Sequence, residues 1–163
     1  MEKIVFEKIN EVRKNIENLE DKLNIKIEIK KKVVKIEGSP LDEYEASIVL
    51  KAVNFGFSAN KALLLKDHEM IFKSINIKDF TRKKNLKEVR GRIIGKEGKT
   101  LRVLQDLSGA EIIVKDNQIG IIGDASSINY IETALHNLIR GTKQSNIYRY
   151  LERTNKRKKH NLY

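Results

Sequence analysis

The chain has 163 residues, 40% of them hydrophobic, enough for a core in one domain or two small ones and too many for a disordered tail. It contains no cysteine, which excludes disulfides and every thiolate metal site. A formal net charge of +11 favours a polyanionic partner, but 22 acidic residues against 33 basic ones leave much of the surface mixed, so the placement of charge has to decide.

No run approaches the roughly 20 apolar residues that span a bilayer. The alternation of charged and apolar residues after Met1 is not that of a signal peptide. The expectation is a cytoplasmic protein without a membrane partner.

In chain order, Lys3 to Glu7 reads as a short strand, and Ile16 and Leu19 mark a helix face. Two strands follow, through Ile27 and Ile29 and through Val34 and Ile36, closing at Gly38. Ser39-Pro40, with Asp42 and Glu43 in the first turn, starts a long helix. Phe57 to Lys66 predicts a further helix with Ala59, Leu63 and Leu64 inward, expected to pack two halves together as a fixed pair, since no Pro- or Gly-rich linker separates them.

Met70 to Phe80 predicts a strand, and Leu86 to Ile94 a helix with Leu86, Val89 and Ile93 on its apolar face. Leu101, Leu104 and Leu107 mark the next helix, then come strands through Ile112 and Val114 and through Ile119 and Ile121, joined at Asp116-Asn117 and closing at Gly123. Asp124 is the expected N-cap of a long helix with Ile128, Ile131, Leu135, Leu138 and Ile139 inward, and Gly141 suits its C-terminal end. In the tail, Lys143, Arg149, Arg153, Lys156, Arg157, Lys158 and Lys159 face only Glu152. Tyr148, Tyr150 and Leu151 could dock a short helix, and the chain past Thr154 is expected to lack structure alone.

These elements are one pattern written twice. Gly38 and Gly123 stand 85 residues apart, and at that offset Ile16 falls under Leu101, Ile27 under Ile112, Val34 under Ile119 and Ser39 under Asp124, with no gap. The repeat predicts two helix–strand–strand–helix units, each completed by a preceding strand. The expected division is 1–66, 67–142 and a basic tail over 143–163.

The stretch Gly91 to Thr100 lies between two predicted helices. Gly95 and Gly98 permit a sharp turn and carry no Cβ to block a ribose-phosphate chain. The helix after Gly98 offers unpaired N–H groups to a phosphate, and Lys96, Lys99, Arg102, Arg90 and Arg92 add positive charge. Bases splayed from such a backbone would lie along a groove walled by Ile94, Ile112 and Val114. Glu97, at the tip, completes the G-x-x-G loop.

Other readings of this stretch are weaker. An isolated G-x-x-G is more often a helix cap, but this one joins two helices ahead of two strands and carries several cations. Gly98-Lys99-Thr100 imitates the end of a triphosphate-binding loop, but that motif needs glycine where Ile93 stands and a strand where a helix is predicted. His68, His136 and His160 are scattered, with His136 expected on a solvated helix side, and Glu97 has no second carboxylate, so no catalytic or metal-ligating residue is expected. In the first unit Asn10 and Arg13 occupy the positions of the two glycines, and Glu7, Glu11, Glu17, Glu20 and Asp21 crowd the helix, so the clamp is missing there.

At these residues the chain resembles the type I K-homology (KH) domain, whose G-x-x-G clamp holds about four nucleotides. The runs Lys51 to Phe57, Ala62 to Leu65, Ile75 to Phe80, the loop itself, Asn137 to Gly141, and Ile147-Tyr148 are similar to the ribosome-assembly family called Dim-two or Partner of Nob one, in a brief, archaeal form. That resemblance implies an α+β fold of two tandem type I KH domains, the first without its loop. It implies binding near the 3′ end of the small-subunit rRNA precursor; the residues themselves lead to the expectation that the second domain holds single-stranded RNA, helped by the tail cations Lys156, Arg157, Lys158 and Lys159. It also implies as partners the endonuclease that trims this RNA and the translation initiation factor two alpha subunit, with no cofactor and no enzymatic activity of its own.

Overall fold

The structure is a computed structural model that describes the backbone of residues 1–161 and the side chains of residues 1–157. The chain forms two compact units, Met1–Phe72 and Lys73–Tyr163. The first contains β1 (Glu2–Val5), α1 (Asn10–Lys14), α2 (Ile16–Leu23), β2 (Lys26–Lys30), β3 (Val33–Glu37), α3 (Pro40–Phe55) and α4 (Ala59–Ala62). Then come β4 (Met70–Asn76), in which the division between the units falls, α5 (Leu86–Ile94), α6 (Lys99–Ser108), β5 (Glu111–Lys115), β6 (Gln118–Asp124), α7 (Ile128–Arg140) and α8 (Gln144–Asn161).

Each sheet has three strands with the last in the middle, in the orders β1-β3-β2 and β4-β6-β5, and β1, β2 and β5 each pair antiparallel with that central strand. Alternation fixes the register: Ile27 opposes Ile36 in one sheet and Ile112 opposes Ile121 in the other. Val34, Ile36, Ile119 and Ile121 are fully buried, and Val49, Leu50, Ala134, Leu135 and Leu138 of the long helices are buried with them.

The repeat holds down to single bonds. Strands β2 and β5 stand 85 residues apart at both ends. The side chain of Glu20 accepts a hydrogen bond from the Ile27 N–H (2.9 Å), and that of Gln105 accepts one from the Ile112 N–H (3.0 Å) at the same offset. Helices α4 and α8 also begin 85 apart, at Ala59 and Gln144.

Four expectations are corrected. Strand β4 ends at Asn76, because the Asn76 side chain accepts from the Lys78 N–H (3.0 Å) and turns Ile77–Asp79 into a 3₁₀ turn. The helix expected over Phe57 to Lys66 is a short α segment followed by a 3₁₀ turn at Leu63–Lys66. Asp124 caps a turn rather than a helix: it accepts from the Ser126 N–H (2.8 Å) and hydroxyl (2.6 Å), and α7 starts three residues later than that cap would place it. The tail continues past Thr154 as helix α8, since Ile147 and Leu151, one turn apart, are buried on one face and the Asn155 side chain donates to the Leu107 carbonyl at the end of α6.

Candidate nucleic-acid interface

The G-x-x-G segment is built between two amphipathic helices. Asn85 caps α5 by accepting from the Glu88 N–H (3.3 Å), and Val89 and Ile93 anchor the helix in the core. The helix closes with the Gly95 N–H donating to the Gly91 carbonyl (2.8 Å). Gly95 then adopts φ 75°, ψ 176°, a region open essentially to glycine alone. A Cβ there would also stand 2.7 Å from Thr100 Cβ and closer still to its hydroxyl.

Glu97 (φ 54°, ψ 29°) and Gly98 (φ 75°, ψ 12°) are left-handed as well. Three positive-φ residues in four make a tight, side-chain-poor turn whose middle member is not glycine; holding Glu97 there costs about 1–2 kcal/mol. Nothing lies within 4 Å of a Cβ built on Gly98, so that side of the loop faces open space. Helix α6 begins immediately after, and its first turn has no side-chain cap. The result is a patch of bare backbone next to uncapped N–H groups, an arrangement suited to a phosphate.

The five loop cations divide into two groups. The side chains of Lys96 and Lys99 are exposed and make no hydrogen bond or ion pair among the described residues. Arg102 is exposed and donates to the Glu97 carbonyl (3.2 Å), so it both supports the turn and adds charge. Arg90 and Arg92 are half-buried and occupied: Arg90 donates to the Asn117 side chain at the β5–β6 turn, and Arg92 to the Thr142 carbonyl (2.9 Å). Their placement suits holding elements together better than neutralising phosphate, a role that charge alone does not disclose.

The expected groove wall is redistributed too. Ile94 is 36% exposed and Val114 is half-buried, but Ile112 is 2% exposed and faces the core. Ile112 therefore backs the wall without presenting surface. Gly91 sits on the exposed face of α5 with nothing within 4 Å of a built Cβ, so the fold itself has no packing need for glycine there. A glycine in a helix interior costs roughly 0.5–1 kcal/mol against alanine, and this bare spot lies one turn before Gly95.

On α8, Lys156 and Arg157 are exposed, in a stripe with Arg149 and Arg153. Lys158 and Lys159 belong to the same helix, and their side chains lie outside the described residues. His136 is not solvated as expected: its ring stacks on Phe80 at 3.7 Å, and its Nε2 is buried without a partner. Burial, countered in part by Glu132, holds its pKa below the ordinary value. Among the described residues no group of histidine and acidic side chains could hold a metal ion, and no helix is long and apolar enough to cross a membrane.

Residues 71–156 match the family model described as a eukaryotic type KH-domain (KH-domain type I), in the form of the second KH domain of PNO1 proteins. The chain belongs to the PNO1-type KH family. A KH domain-containing protein of Methanocaldococcus jannaschii is 32% identical over 92% of this chain and 68% of its own length. The pre-rRNA-processing protein pno1 of Emericella nidulans is 29% identical over 85% of the chain, which spans only 57% of that relative. Among solved structures, Dim2p of Pyrococcus horikoshii superposes with a TM-score of 0.83 at 30% identity, covering 93% of this chain and 98% of that one. A second structure from that organism, an a/eIF2alpha-aDim2p-rRNA complex, gives 0.81 at 29% identity over 95% and 93% of the two chains. The family is thus one of RNA-binding and pre-rRNA-processing proteins, and the archaeal relatives are covered by this chain over a larger share of their own length than the fungal one.

Proposed function

We propose that this protein binds single-stranded RNA of the small ribosomal subunit near its 3′ end during ribosome assembly, in the cytoplasm, and acts by binding rather than by catalysis. Residues 67–142 form the KH domain that grips RNA on Gly95, Lys96, Glu97 and Gly98. Residues 1–66 form a second type I KH unit without the clamp, and the basic segment 143–163 adds phosphate contacts. The observation that carries this reading is the loop itself: three positive-φ residues beside a helix start with no side-chain cap, flanked by the side chains of Lys96 and Lys99, which have no partner among the described residues. The likeness to a Pyrococcus chain seen with rRNA and a/eIF2alpha supports the choice of partner.

RNA is held in this reading by Lys96, Lys99 and Arg102, with Ile94 and Val114 against the bases. Changing Lys96 and Glu97 both to Asp leaves thermal unfolding unchanged and weakens binding of a fluorescent RNA copying the rRNA 3′ end by about 100-fold, because Lys96→Asp puts a negative charge where a positive one met the phosphate, while Glu97→Asp keeps its charge. In the parent, about four to six neutralised phosphates give a slope of log K against log salt of roughly −3 to −4. Equal binding by variant and parent would remove the loop from the site.

A second reading has a specific observation behind it, since the similar Pyrococcus complex also contains a/eIF2alpha. In that reading the protein is an adapter for the initiation factor alpha subunit or the rRNA-processing endonuclease. Partners that stay bound after nuclease treatment favour it, and partners that leave with the RNA do not.

A further inference from the structure

We propose that the start of helix α8 is a brace that sets the shape of the RNA loop, with Thr100, Gln144 and Arg92 as positioning residues; the role in RNA binding rests on the reading above, whereas the brace itself does not.

The geometry ties both arms of the loop to one short stretch of chain. On the far arm, Thr100 is 4% exposed and its side chain fills the space that a Cβ on Gly95 would need, so the position of Thr100 dictates where Gly95 can lie. The Thr100 hydroxyl accepts a hydrogen bond from the Gln144 side-chain amide (3.1 Å), at the first residue of α8. On the near arm, Arg92 stands three residues before Gly95 and donates to the Thr142 carbonyl (2.9 Å). Residues 142–144 therefore hold the loop from both sides. Helix α8 is fixed in turn by buried Ile147 and Leu151 and by the bond from Asn155 to the end of α6.

The first unit supplies an independent sign that this is a built arrangement. Its segment after the third long helix returns to the same place by different chemistry: the Ala59 N–H, at the position of Gln144, donates to the Glu11 carboxylate (2.9 Å), and the Asn15 side chain, at the position of Thr100, donates to the Glu11 carbonyl (2.7 Å). In both units, the chain after the third long helix secures the junction between the first two. Only in the second unit does that junction carry positive-φ backbone, which keeps its shape only when its surroundings over-determine it.

The test compares full-length parent, Thr100→Val, Thr100→Ser and Gln144→Leu. Hydrogen exchange of the amides from Gly95 to Lys99 is read without RNA, and dissociation of the fluorescent rRNA 3′-end oligomer is read alongside salt slope and thermal unfolding. Thr100→Val keeps shape and burial but loses the acceptor; Thr100→Ser keeps the hydroxyl. The expected result is faster loop exchange and roughly three- to tenfold faster RNA dissociation for Thr100→Val and Gln144→Leu, the scale of one lost hydrogen bond. The salt slope stays at the parental value, because no phosphate contact is removed, and Thr100→Ser behaves as the parent. Parental loop exchange in both Thr100→Val and Gln144→Leu overturns the brace. If no protein, parent included, holds the RNA, the RNA reading fails, while the exchange data still decide the brace.

Discussion

The junction between the first two helices is where the two units part company. In the first unit the segment Asn10 to Arg13 is helical and Val12 is fully buried, whereas 85 residues later the same place is an exposed turn with Glu97 at its tip. The positive-φ residues make the contrast sharp. Asn24 matches Gly109, Lys31 matches Asp116 and Gly56 matches Gly141, all at that offset; among the described residues, Gly95, Glu97 and Gly98 alone have no counterpart. The shared framework keeps its positive-φ turns in both copies, and the three additional ones lie in the loop proposed to hold RNA.

The greatest effect in this comparison should come from forcing the loop's chemistry onto the first unit. Val12→Glu places a carboxylate in a closed core and should cost about 3 kcal/mol, read as lost exchange protection in β3, whereas Glu97→Val should cost about 1 kcal/mol for a β-branched left-handed residue. Next comes Gly95→Ala, which meets both a forbidden backbone region and the Thr100 side chain and should lower stability by about 2 kcal/mol in urea unfolding. Asn10→Ala, at the matching exposed site, should stay within about 0.5 kcal/mol.

Smaller, and equal in the two units, is the loss from Glu20→Ala and Gln105→Ala. Each removes a side-chain bond that the repeats share and should cost about 1 kcal/mol. A marked inequality would mean that the two copies do not use that bond alike. The smallest effect is a pH slope from His136 in the second unit, whose counterpart at the repeat offset, Lys51, is exposed. Burial lowers the folded-state pKa of His136, so the stability of its neutral ring is complete above about pH 6.5 and is lost as pH falls through that lowered value. Melting temperatures between pH 8 and 5 should fall less in His136→Phe than in the parent.

Much of the framework was legible because its signals are local. Alternating Ile and Val at Ile27–Ile29 and Ile112–Val114, a terminal glycine and Ser39-Pro40 each act within a few residues, and their recurrence at one offset made the two-unit plan visible. The loop was legible for the same reason, as two glycines in a cationic setting. What escaped depends on partners distant in the chain. Alternation places Ile112 and Val114 on one face but not at what depth, and charge marks Arg92 without pointing to Thr142. Helix α8 was missed beyond Thr154 because Ile147 and Leu151 are a sparse apolar signal among so many cations, and only α6 and α7 give them something to cover.

That helix has a thermodynamic consequence. With Ile147 and Leu151 already packed and Asn155 bonded to the end of α6, Arg149, Arg153, Lys156 and Arg157 are presented on a preformed helix, and the entropy cost of ordering that backbone is met when the chain folds. If RNA binds there as proposed, it meets a surface already ordered, so this segment should add little to the heat-capacity change of association, unlike an arm that winds into a helix only on contact.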